Sequence, residues 1–158
     1  MTQLIVCLAS ALIVFGRGAA LAKDPGEKWL LYEPGSIEWQ VSESLPPGAK
    51  VAVLEGDPSK EGFFTMRIEM PDGYRVPAHW HPKRERLTIL SGTLNLGTSD
   101  TFDPKQAKAL PAATYSSMPA RMTHFGWTTG ETVLQLSSMG PWAIHYVNPA
   151  DDPRRKGH

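Results

Sequence analysis

Cysteine is almost absent from this chain. Its 158 residues include a single one, Cys7, which lies in an apolar run at residues 4–15. The rest of the chain can therefore form no disulfide, no CxxC redox pair and no thiolate metal site. Charge of one sign is lacking too: 16 Lys plus Arg face 16 Asp plus Glu. A nucleic-acid footprint needs a clustered basic excess, so no nucleic-acid partner is expected. The apolar run at 4–15 is too short to span a bilayer. Beyond it no window sustains a 3.6-residue hydrophobic period, and there is no internal repeat or low-complexity linker, which argues against a helical bundle or a solenoid.

The run at 4–15 and the small-x-small site Ala20-Leu21-Ala22 read together as a secretory leader, residues 1–22. No Lys or Arg precedes the run, and Arg17 follows it. Cleavage after Ala22 leaves residues 23–158 as one domain, since a chain of this length buries enough surface to fold on one core. That domain is expected in the periplasm or outside the cell, with no membrane association after cleavage.

What is abundant is punctuation. Fourteen glycines and fourteen prolines break the chain into short runs with period-two alternation. Strands are expected at 29–32, 37–41, 50–55, 64–70 and 75–81. A hairpin is expected from 86–90 and 93–96 around Ser91-Gly92. Residues 103–107 read as one helical turn or a surface loop, and further strands are expected at 114–118, 123–128, 132–137 and 142–147. Phe64, Met66, Ile68 and Met70 alternate with Thr65, Arg67 and Glu69, which marks a half-buried strand. Pro71-Asp72-Gly73 is a turn, with Pro presetting φ and Gly supplying a left-handed position. Many short strands between Gly/Pro turns imply an all-β sandwich or barrel.

Within this pattern His79 and His81 stand two apart, so in an extended strand both face one way and Trp80 faces the other. Pro82 ends that strand. Glu85 opens the next and shares a face with Leu87 and Ile89. His124 lies on a later strand. Three imidazoles and a carboxylate on an inward face are costly to bury empty. They form a mixed nitrogen and oxygen donor set suited to one divalent transition metal: Mn, Fe, Ni, Zn or Cu. Four protein ligands on a six-coordinate ion leave two positions for a substrate and for water or O₂.

Gly73 is followed after five residues by His79-Trp80-His81, after three more by Glu85, and after six more by Gly92. Farther on come Ala113, then Pro119-Ala120-Arg121, then His124 and Thr128. These two stretches resemble the paired motifs of the cupin superfamily. The first motif is met at every position. In the second, Ala113 and Arg121 stand where cupins carry glycine, and Thr128 where they carry asparagine. The resemblance implies a double-stranded β-helix, or jelly-roll barrel, with a metal-binding core at about residues 50–147. It implies that His79, His81, Glu85 and His124 ligate one metal ion. Cupins often pair through edge strands, so residues 29–41 offer a route to a homodimer.

The function expected is that of a dioxygenase-type oxidoreductase on a small organic substrate, with Glu85 as catalytic base. The alternatives are a non-catalytic metal-dependent binding or sensing module for a small-molecule ligand, or a Zn, Ni or Mn isomerase or hydrolase. No twin-arginine signal is present, so the chain is expected to cross the membrane unfolded and to take up its metal outside the cytoplasm, which favours Mn, Zn, Ni or Cu over Fe(II). Arg121 is expected near the barrel mouth, its guanidinium available to a carboxylate ligand. The aromatics Phe63, Phe64, Tyr74, Tyr115, Phe125, Trp127 and Trp142 read as core or sheet-packing residues, with Tyr115 and Trp127 the candidates for the pocket wall. His145 reads as a packed or surface residue rather than a ligand.

Overall fold

The computed structural model describes residues 28–155; the leader assigned to residues 1–22 lies outside the described residues. Nine strands follow in order: β1 (Gln40–Val41), β2 (Lys50–Glu55), β3 (Gly62–Met70), β4 (Arg75–Trp80), β5 (Glu85–Gly97), β6 (Ala107–Pro111), β7 (Tyr115–Met118), β8 (His124–Gly140) and β9 (His145–Tyr146). Every pairing is antiparallel. Among the described residues no helix is long and apolar enough to cross a membrane.

Two long strands make the fold. β5 and β8 run antiparallel along nearly their whole lengths, and each belongs to two walls. The amino-terminal half of β5 and the carboxy-terminal half of β8 join β7, β3, β2 and β1. The other halves join β6, β4 and β9. The result is a jelly roll, the fold that the cupin resemblance implies and one of the sandwich or barrel forms that the strand pattern allows. Phe64, Ile68, Met70, Leu87, Ile89, Leu134 and Leu136 are buried between the walls.

The bend that lets one strand serve both walls needs a particular residue. Gly92 has φ of 71°, in the left-handed region that a side chain disfavours. A Cβ there would also collide with the Glu131 carbonyl and the Thr132 side chain on β8. The hairpin expected from 86–90 and 93–96 is therefore not formed. Ser91-Gly92 is a bulge inside a continuous strand, and both halves find their partner in β8 rather than in each other. The strands expected at 123–128 and 132–137 are likewise one strand, bent at Gly130, whose φ is 74°.

Other boundaries also move. Residues 29–32 form no strand and are exposed, Trp29 at 87%. Of 37–41 only β1 is extended and paired, after a 3₁₀ turn at Pro34–Ser36. An edge pairing through 29–41 thus has only two strand residues to use. Pro104–Gln106 is a 3₁₀ turn capped by the Asp103 carboxylate, and it leads into β6, a strand in a region that reads as irregular. Of 142–147 only β9 is strand.

The two positions where this chain lacks the glycine of the cupin pattern keep the glycine-like backbone. Ala113 has φ of 68° and Arg121 of 64°. The Ala113 N–H donates to the Ile89 carbonyl and the Arg121 N–H to the His81 carbonyl, both at 2.8 Å, and these bonds hold the turns in place. Thr128, in the asparagine position, is a buried clasp. Its hydroxyl donates to the Pro71 carbonyl at 2.6 Å and accepts from the Tyr74 N–H at 2.9 Å. A left-handed L-residue costs about 1–2 kcal/mol, against about 0.5–1 kcal/mol for glycine's extra freedom in the unfolded chain. Ala113→Gly and Arg121→Gly are each expected to stabilise the fold by about 0.5–1 kcal/mol, raising Tm by about 2–4 °C in thermal unfolding. A fall in Tm for both would show that the turns are not held in this conformation.

Candidate metal centre

His79 lies near the end of β4, His81 follows that strand, Glu85 begins β5 and His124 begins β8. All four side chains are buried. In the register His79 stands opposite both His124 and Tyr146, which brings two imidazoles face to edge with centroids 4.2 Å apart. The alternation expected along β4 holds: His79 and His81 point inward, while Trp80 points outward and stacks on exposed His145 at 4.1 Å.

Each imidazole is aimed by its own backbone contact. The Nδ1–H groups donate to carbonyls: His79 to Pro77 at 2.7 Å, His81 to Ala143 at 2.8 Å, and His124 to Met122 at 2.9 Å. With Nδ1 carrying the proton, each Nε2 presents a lone pair to the interior, the tautomer a metal needs. The ligand atoms of His79, His81 and His124 all lie within 4.8 Å of one another and form a group that could hold a metal ion. The Glu85 carboxylate approaches two of them, with Oε1 3.6 Å from His81 Nε2 and Oε2 3.3 Å from His124 Nε2.

The cluster is not satisfied within itself. His81 Nε2 and Glu85 Oε2 are buried and have no hydrogen-bond partner. An orphaned buried polar atom costs about 1–3 kcal/mol, and a divalent ion would satisfy both. Burial together with the neighbouring His124 and His81 pushes His79 well below the ordinary imidazole pKa. Burial also lowers His81, against the pull of Glu85. Burial opposes a charge on His124 as well, but the Glu85 carboxylate outweighs it and raises that pKa. Burial alone would raise Glu85, yet His124 and His81 hold it below its usual value. Two neutral imidazoles, a third beside an ionised carboxylate, and two unpaired atoms form a donor set that fits a transition metal of the Mn-to-Zn series.

The cluster faces a cavity of about 330 Å³. Its walls are apolar, among them Val51, Met66, Ile68, Leu94, Leu134 and Leu136, and among the described residues no lysine or arginine lines it. Trp142 stacks flat on His81 at 4.1 Å and 14° and is the aromatic residue of the wall. Tyr115 and Trp127, expected there, are elsewhere: Tyr115 is 62% exposed, and Trp127 packs on Phe102 on the outside. Trp142 opens the run 142–147 that reads as a strand, but it lies ahead of β9 in a non-strand segment after Gly140-Pro141, so alternation does not show that it faces the cavity. Arg121 does not reach the cavity either. Its guanidinium lies 5.5 Å from the Trp80 ring, on the outer face, so it has no route to a ligand beside the histidines.

A jelly roll with three histidines converging on an internal cavity defines the cupin fold, and the chain has that fold. The chain belongs to the family described as Domain of unknown function (DUF4437), whose profile matches residues 29–145. Solved structures show the same fold. The polyketide cyclase RemF from Streptomyces resistomycificus is 16% identical at a TM-score of 0.64, covering 81% of this chain and 92% of that one. An acetylacetone dioxygenase from Acinetobacter johnsonii is 13% identical at a TM-score of 0.61, covering 82% and 84%. An RmlC-like cupin from Shewanella frigidimarina is 14% identical at a TM-score of 0.56, covering 72% and 91%. At these identities the likeness is one of fold. No curated protein matches the sequence.

Removing one imidazole from the cluster is expected to abolish tight metal binding. His81→Ala should hold less than one tenth of the metal that the parent retains after dialysis, measured by elemental analysis. It should also lose the rise in Tm that added metal gives the parent, because an ion bound to the native state favours folding. His145→Ala, on the outer face, should behave as the parent. Full occupancy in His81→Ala would refute the assignment of the cluster.

Proposed function

We propose that this protein is an exported, metal-dependent oxidoreductase of the dioxygenase type, acting on a small oxygen-bearing organic substrate. The observation that carries this reading is the pair of orphaned buried atoms, His81 Nε2 and Glu85 Oε2, at the end of an otherwise apolar cavity. In this reading His79, His81 and His124 hold one divalent ion through Nε2, and Glu85 supplies the fourth ligand. The ion would contribute Lewis-acid polarisation and, if redox-active, oxygen chemistry.

The chain's own residues do the rest. The apolar walls keep water from the reacting atoms, which strengthens every charge interaction inside. Among the described residues Glu85 is the only carboxylate that lines the cavity, and His124 and His81 hold its pKa below the usual value. It is therefore the group placed to take a proton from an acidic C–H or O–H of the substrate. A positioned base of this kind contributes about 10²–10⁴-fold. Trp142 holds the His81 ring flat from behind and so fixes where the substrate meets the cluster.

The test is oxygen uptake by protein loaded in turn with Mn, Fe(II), Ni, Cu(II) and Zn, against diols, enols and 1,3-diketones. Consumption is expected with a redox-active metal and not with Zn, and Glu85→Gln should lower kcat about 100-fold or more while some metal is retained. Stoichiometric metal with no oxygen uptake on any of these would favour the binding module, and turnover with Zn alone would favour an isomerase or hydrolase. The export half of the proposal rests on the apolar run at 4–15 and on Ala20-Leu21-Ala22. The secreted protein is expected to begin at Lys23 by N-terminal sequencing; an intact leader on it would remove that half.

A further inference from the structure

The rim of the cavity is built unlike its walls. On one side Pro58, Ser59 and Trp142 line it, and the Trp142 N–H donates to the Pro58 carbonyl at 2.7 Å, so that lip is pinned backbone to backbone. On the other side the loop 42–49 joins β1 to β2 and contributes Ser42, Ser44 and Leu45 to the lining. Leu45 packs against the core. The loop has local turns at 43–44 and 47–48, yet apart from the β1–β2 pairing at its ends no backbone–backbone hydrogen bond among the described residues ties it to the rest of the molecule. It is tied down by two side chains. The Tyr146 hydroxyl donates to the Ser44 carbonyl at 2.9 Å, and the Tyr74 hydroxyl donates to the Pro46 carbonyl at 2.5 Å.

We propose that residues 42–48 are a lid over the metal-centre cavity, anchored at its far end by buried Ala49 and latched by the hydroxyls of Tyr74 and Tyr146, and that Leu45 and the Ser42–Ser44 pair meet the outer end of the bound ligand. This deepens the functional reading above and rests on the cavity being the ligand site. A segment held by few backbone bonds is the cheapest part of the rim to displace, and a ligand must displace something to reach buried histidines. Tyr146 also packs its ring 6.0 Å from the ring of His79, so one latch is anchored against the metal cluster itself.

The rim sets the chemistry of what it admits. Among the described residues no lysine or arginine lines the cavity, so none of them would pair with a negative charge at the outer end of the ligand. The Ser59 hydroxyl is engaged by the Asp57 carboxylate at 2.7 Å. Ser42 and Ser44 are 3.2 Å apart and share one hydrogen bond, which leaves one hydroxyl hydrogen free. The ligand class is an uncharged, mainly apolar body with an oxygen donor pair at the metal end and at most one neutral acceptor at the rim.

The test is stopped-flow binding of 1-aminoanthracene, an uncharged fluorescent probe, to the purified protein and to Tyr74→Phe, Tyr146→Phe and the double variant. Phenylalanine keeps each ring and removes only the latch. A neutral hydrogen bond is worth about a factor of five in an opening equilibrium. Association and dissociation rates are each expected to rise about five-fold in the single variants and about 25-fold in the double, with Kd changed less than two-fold. Rates unchanged in the single variants, or a faster dissociation with an equal loss of affinity, would overturn the lid. Should the double variant fail to fold, the two singles still decide the matter. Leu45→Trp, which leaves both latches, should weaken the probe at least ten-fold at unchanged metal content; unchanged affinity would overturn the assignment of Leu45. The assay needs neither metal nor turnover. Failed oxygen uptake would leave the lid standing, and unaltered probe kinetics would remove the lid without touching the metal centre.

Discussion

Three imidazoles and a carboxylate share one buried space, and the rest of the molecule is arranged around the cost of putting them there. They are withdrawn from bulk solvent, and the cluster leaves two of its own atoms without a hydrogen-bond partner. Such an arrangement persists when a strong interaction compensates for it, and an ion shared among the donors is the simplest one. The barrel provides the geometry for that. β4 turns two histidines inward by alternation, β8 brings the third opposite the first, and β5 starts with the glutamate. Four side chains from three strands thus converge because each strand obeys its own period of two.

Architecture and site depend on one another through β5 and β8. Were these two hairpins instead of two bent strands, the wall carrying β4 would lose its strand-to-strand pairing with the wall carrying β3. Gly92 makes the bend possible, since both its φ and the neighbouring Glu131 backbone exclude a side chain. The same β8 that carries His124 at one end carries Leu134 and Leu136 farther along. The strand that places a ligand therefore also walls the cavity beside it.

How much of this is legible in the sequence depends on the range of the interaction. His79, His81 and Glu85 can be read because alternation and spacing are local, and His124 because it stands in a second motif of fixed spacing. The all-β class follows from the density of Gly/Pro punctuation, and the jelly roll from the resemblance of the two motifs to those of cupins. The continuity of β5 and β8 is not legible, because Ser91-Gly92 and Gly130 look like hairpin turns until the partner strand is known. Residues 29–32 have the composition of a strand but no neighbour to pair with. Trp142, not Tyr115 or Trp127, lines the cavity because its position depends on a non-strand segment that docks on His81. The ties on loop 42–49 come from tyrosines 28 and 102 residues away, a distance at which no local pattern operates. At positions 113 and 121 a missing glycine suggests a reshaped turn, yet the turn persists with the wrong residue in it.

The acceptors that orient the three imidazoles are all main-chain oxygens, those of Pro77, Met122 and Ala143. Carboxylates or amides in the same role would be exposed to loss by a single codon change. A peptide carbonyl is contributed by whatever amino acid occupies the position. Drift at these three sites can therefore proceed without disturbing the tautomers, and the outer support of the cluster leaves no residue-type signature for alignment to find.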